Sequence, residues 1–98
     1  MGENILLLDI REQSPFADFF VLCNGSSERQ LKALTRSVRE TLKQELGVIP
    51  HHIEGEPASG WVLMDYIDVI IHVFSPDLRA FYDLEGMWQE GKVLLRVQ

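Results

Sequence analysis

The chain has 98 residues, enough for one domain with a single core. Its apolar share of 46% lets that core form without staples, and Cys23, the sole cysteine, leaves no internal disulfide, which fits a reducing compartment. Nine basic residues against fifteen acidic give a net charge of −6, which argues against wrapping naked nucleic acid and suits a basic partner. No apolar run approaches the roughly 18 residues of a membrane span. The N-terminus shows no targeting pattern, so a cytoplasmic protein is expected, with an organellar homologue as the alternative.

The first element is the apolar run Ile5 to Ile10, of strand length. Ser14-Pro15 breaks the chain, and Phe19 to Cys23 reads as a second, fully buried strand. Ser26-Ser27 opens the one long helix. Ser27 and Gln30 form a capping-box pair, and Leu31, Leu34, Val38, Leu42 and Leu46 make one apolar stripe. Arg29, Lys32, Arg36, Arg39, Glu40 and Lys43 fall on the other faces, and Gly47 is a natural stop. Val48-Ile49 with His51 to Ile53 suggests an edge strand broken by Pro50, and Glu54 to Gly60 reads as a loop.

Trp61 to Tyr66 and Asp68 to Phe74 predict two strands joined by a tight turn around Tyr66-Ile67. Ser75 as N-cap and Pro76 at the first helical position start a short C-terminal helix running towards Met87-Trp88, with Phe81, Leu84 and Trp88 on its core side. Val93 to Leu95 could add a last strand. The expected fold is α/β (α+β): a mixed sheet with one long helix on a face.

Several residues invite chemistry. His51 and His52 are adjacent, so on a strand they point apart, and His72 in an apolar strand reads as a core imidazole; no metal site is expected. Cys23 reads as a buried, inert thiol. Gly25-Ser26 ahead of a helix is superficially a phosphate-binding turn, but the carboxylate pair that a nucleotidyltransferase needs for Mg²⁺ is missing, and helix capping is the simpler reading. No enzyme activity and no cofactor are expected; a nucleotide-binding domain is the alternative. Along Trp61 to Tyr66, Trp61, Leu63 and Asp65 share one side and Val62, Met64 and Tyr66 the other. On sequence physics alone Trp61 belongs to the core.

The ordered segments Ser14-Pro15-Phe16-Ala17-Asp18-Phe19-Phe20-Val21, Asn24-Gly25-Ser26-Ser27-Glu28-Arg29-Gln30, His52-Ile53-Glu54-Gly55-Glu56, Gly60 to Tyr66, Asp68 to Phe74 and Phe81 to Trp88 resemble the ribosomal silencing factor (Iojap-like) family. The resemblance runs from about Asn4 to Trp88, and the tail after Trp88 lies outside it. It implies that residues 1–98 form a single domain of nucleotidyltransferase-like fold, without the helix that usually precedes the first strand in this family. It also implies that the protein binds ribosomal large-subunit protein fourteen, blocks joining of the subunits and represses translation, with no direct nucleic-acid reading and no membrane. A homodimer is a further expectation from the family's tendency to self-associate. The resemblance moves Trp61 from core to interface, and the expected partner-binding set is Trp61, Asp65, Tyr66, Asp68, Tyr82, Asp83 and Glu85.

Overall fold

The structure, a computed structural model, describes residues 3–12, 14–15, 17–83, 86 and 92–97. The strands are β1 (Glu3–Asp9), β2 (Phe19–Asn24), β3 (His52–Glu56), β4 (Trp61–Asp65), β5 (Val69–Phe74) and β6 (Lys92–Val97). The helices are α1 (Glu28–Leu46) and α2 (Pro76–Tyr82). The strands form one mixed sheet in the order β3-β4-β5-β2-β1-β6, in which only β2 and β5 run parallel.

Side chains alternate across the pleat, so each strand feeds both sides of the sheet. On one side Cys23, Val62, Met64, Ile71 and Val73 meet Leu31 and Leu34 of α1. On the other, Leu6, Leu8, Ile10, Phe20, Leu22 and Phe74 pack with Ala17, and Trp61, Ile70 and Leu78 lean on them. The sheet is therefore the middle layer of two apolar clusters, with α1 covering one side.

α1 is built as the sequence predicts. The Ser27 hydroxyl accepts from the Gln30 backbone N–H at 3.1 Å, and Gly47 closes the helix in the left-handed region at φ 68°. The Gln30 side chain reaches one residue further than a standard box: its carbonyl oxygen takes both the Ser26 N–H (2.9 Å) and the Ser26 hydroxyl (2.7 Å). Leu31 and Leu34 are buried and Val38 and Leu42 half-buried, but Leu46 is exposed, because the stripe outruns the sheet beneath it.

Three expectations need correction. Glu54 to Gly60 is not a loop throughout: β3 runs to Glu56 and a single 3₁₀ turn covers Pro57–Ser59, whereas Val48 and Ile49 lie outside any strand and are exposed. Phe81 is 78% exposed rather than part of the core. α2 ends at Tyr82, where Asp83 enters the left-handed region at φ 45°; Leu84 and Trp88 lie outside the described residues. The last strand does form: β6 pairs with β1 at the sheet edge, with its side chains exposed.

Candidate functional site

The side of the sheet away from α1 is where the predicted site residues can be weighed. Trp61, at the start of β4, is half-buried. Register places it opposite Phe74 on β5 and opposite Glu56 on β3. Its indole N–H donates to Nδ1 of His72 at 3.3 Å, and its ring stacks on His72 (centroids 6.4 Å apart, 23° between planes) and on Phe74 (6.4 Å, 24°). His72 and Phe74 are themselves stacked at 5.6 Å with 2° between planes, and Phe20 meets the imidazole edge-on at 5.3 Å. The indole is thus held by His72 and Phe74.

His72 is the core imidazole that the sequence predicts, and it also holds the Trp61 indole, a contact that the sequence does not reveal. It is buried, and desolvation pushes its pKa down to about 4. The ring is therefore neutral near pH 7, with Nδ1 free to accept from the indole. Cys23 is buried as expected, its thiol 3.9 Å from the His72 carbonyl oxygen and pushed up in pKa by burial, which keeps it an unreactive thiol.

Trp61, His72, Phe74 and Tyr82 line a cavity of about 160 Å³. Ligand pockets usually run from about 300 Å³ upward, so this space takes a single side chain rather than a nucleotide. Tyr82 closes it from α2, packing against Phe74 at 6.3 Å, and the exposed Phe81 stands edge-on to Tyr82 at 5.2 Å. α2 is anchored by Arg79, which is buried and donates from Nη1 to the Asn24 side-chain oxygen at 3.0 Å. Asp83 follows, exposed, with its carboxylate accepting from the Gly86 N–H at 3.1 Å.

The structure brings Trp61, Tyr82 and Asp83 to one end of β4 and takes Asp65 and Asp68 to the other. Four residue steps along the strand set Trp61 about 13 Å from Asp65. Asp65 accepts from the Ile67 N–H at 2.7 Å, and the Asp68 N–H bonds the Tyr66 carbonyl at 3.0 Å. This three-residue turn leaves Ile67 61% exposed with φ 75°, a strained place for a β-branched residue. Tyr66 does not join Trp61. It packs into the cluster beneath α1, where its hydroxyl is buried with no hydrogen-bond partner among the described residues and its pKa is raised by desolvation. Glu85 lies outside the described residues.

The acid beside Trp61 is therefore Glu56, with Glu54 opposite Leu63. Sequence reading missed both because Gly55 and Pro57 suggested a loop. The usable signal was the polar alternation His52, Glu54, Glu56, every second residue of an edge strand. Gly55 has φ 81°, and a Cβ there would run into the Trp61 carbonyl oxygen, so glycine lets β3 pass close under the indole. Together these side chains form an aromatic face rimmed by carboxylates. The Gly25-Ser26 turn contributes nothing to it, since Gln30 already occupies the Ser26 N–H and hydroxyl.

Known proteins resemble this chain in sequence and in fold. The family described as "Ribosomal silencing factor during starvation" matches residues 1–97. The ribosomal silencing factor of Halalkalibacterium halodurans is 40% identical over 90 residues, covering 92% of this chain and 76% of that one. A crystal structure of a Chromobacterium violaceum protein superposes with a TM-score of 0.84 at 38% identity, covering 90% of this chain and 72% of that one. An organellar relative, the Mus musculus protein named "Mitochondrial assembly of ribosomal large subunit protein 1", is 29% identical over 89 residues, covering 89% of this chain and 39% of that one.

Proposed function

The chain belongs to the ribosomal silencing factor family, and we propose that it represses translation by binding ribosomal large-subunit protein fourteen and obstructing the joining of the two subunits. The observation that carries this reading is the pinned Trp61: a half-buried indole held by His72, beside a cavity of one side chain's size and the carboxylates of Glu56 and Glu54. Hot spots are commonly aromatic, and a rim of one charge sign steers a partner of the other. In the proposed contact Tyr82 and Phe81 extend the apolar area, and Asp83 extends the acidic rim. Asp65, Ile67 and Asp68 form a second, turn-borne contact, and Tyr66 supports the turn from the helix side. The domain measures 34 × 32 × 23 Å, bulk enough to obstruct a subunit surface by steric exclusion alone. No chemical step and no cofactor enter this mechanism.

Sedimentation of purified subunits with the protein tests the reading. Co-migration with the large subunit only, together with loss of subunit joining, is the expected result. Trp61→Ala, with the fold checked by circular dichroism, should weaken binding to isolated protein fourteen by at least ~2 kcal/mol. Unchanged affinity of the folded variant removes Trp61 from the contact. Co-migration with the small subunit overturns the function.

A further inference from the structure

The net charge of −6 hides a segregation. α1 holds five of the nine basic residues and three of the fifteen acidic ones, so the rest of the chain has four cations against twelve anions. The five are Arg29, Lys32, Arg36, Arg39 and Lys43, spaced by three, four, three and four residues. At 100° per residue they share an arc of about 80° and a length of about 21 Å along the helix. All five are exposed, and none makes an ion pair among the described residues. From Lys32 to Lys43 they border an open groove of about 460 Å³ whose apolar wall is Ile49, Pro50 and Pro57; Glu40 is the one acid on it.

We infer that this stripe is a docking surface for the phosphodiester backbone of an RNA helix, bound without reading its sequence. The observation behind it is charge complementarity in a linear array: guanidinium and ammonium groups about one helical turn apart suit the regular charge of a nucleic-acid strand. Two arginines give the stripe bidentate phosphate recognition at its centre, and the groove admits a backbone rather than a base, having no aromatic lining. An acidic protein segment would carry less regular charge, which makes it the less fitting occupant. Position adds a second argument. Pro57 of the groove directly follows Glu56, which pairs with Trp61, so the stripe and the aromatic face meet around the β3 edge. A partner seated on Trp61 thereby brings its surroundings to the groove. That the RNA is ribosomal rests on the function proposed above; the phosphate site itself does not.

The test compares Arg36→Gln/Arg39→Gln with Lys92→Gln/Arg96→Gln, which removes the same charge from β6. Three probes are used across a salt series: purified large subunits, isolated protein fourteen and a short RNA duplex. The α1 variant should bind large subunits about tenfold more weakly at low salt, with the slope of log affinity against log salt shallower by about 2, while the β6 pair and the affinity for protein fourteen stay unchanged. Equal losses in both variants, or no loss in either, overturn the inference. A matching loss against isolated protein fourteen assigns the stripe to a protein contact and overturns it too. Should the wild-type protein fail to bind subunits, the proposed function falls and the duplex decides the stripe alone. Duplex binding at low salt that the α1 variant lacks upholds it; no duplex binding by the wild type overturns it.

Discussion

Lowering the pH from about 7 to about 5 should act on this domain chiefly through one buried group. His72 is 6% exposed, and burial holds its pKa near 4 against 6.5 for a free imidazole. The unfolded chain therefore takes up a proton that the folded chain refuses. Stability from the neutral ring is fully present above about pH 6.5 and is lost as the pH falls towards 4, below which both states are protonated. The shift of about 2.5 units corresponds to a full loss of about 3 kcal/mol, of which about 2 kcal/mol is gone at pH 5. Asp9, whose pKa is lowered by its hydrogen bonds from Arg11, acts in a more acidic window because its ordinary value is already 3.8. Urea unfolding followed by circular dichroism at the two pH values measures the difference. His72→Phe keeps a ring in the stack but cannot titrate. Its baseline should drop by about 1–2 kcal/mol, because the Trp61 N–H loses its acceptor. Its loss between the two pH values should shrink to under about 0.5 kcal/mol. Equal pH-dependent losses in variant and wild type would refute the assignment.

Ser27→Ala should cost about 1 kcal/mol in thermal or urea unfolding, through the lost cap on the Gln30 N–H. Gly55→Ala combines a φ of 81° with a collision against Trp61, so it should destabilise by about 2 kcal/mol or more and change the indole fluorescence. Ile67→Asn should stabilise by up to about 1 kcal/mol, since Asn tolerates φ 75° better and the isoleucine is largely exposed; a simultaneous fall in affinity for large subunits would identify Ile67 as a contact.

Legibility followed the physics of each segment. α1 was readable from cap to stop because helix signals are local: Ser27, Gln30, the apolar period and Gly47 all lie within one stretch. β2, β4 and β5 were readable because strands in the middle of a sheet keep apolar residues on both faces or alternate cleanly. β3 was readable only at its start, His52 and Ile53, since the exposed edge strand His-Ile-Glu-Gly-Glu has one inward side chain, Ile53, and its glycine imitates a loop. Phe81 was misplaced because spacing gives a helix face but not its direction once Asp83 ends the helix early. Spacing alone puts Trp61 in the core, whereas the structure leaves it half-buried against His72 and Phe74. Its partners His72 and Glu56 are eleven and five residues away in sequence and adjacent only through strand register. Asp65 shares a side of β4 with Trp61, but an extended strand places it, and Asp68 beyond it, at the opposite end.

The separation of charge has a physical consequence for docking. Glu54 and Glu56 rim the aromatic side of the sheet, while Arg36 and Arg39 line the groove on the helix side. A sheet and a packed helix are each on the order of 10 Å thick, longer than the screening length of about 8 Å at physiological salt. Away from the β3 edge the two surfaces are therefore largely screened from each other and present opposite signs. A uniformly acidic protein would be repelled by every phosphate near its target. Here repulsion is confined to the acidic side, and attraction is offered on the other, so the proposed docking favours orientations that put carboxylates on protein and guanidinium groups on RNA. The two contacts meet at β3, the one strand whose Glu56 belongs to the acidic rim and whose next residue, Pro57, belongs to the groove. If both proposed contacts form, a change in orientation that keeps one loses the other, and the pair together restricts the pose.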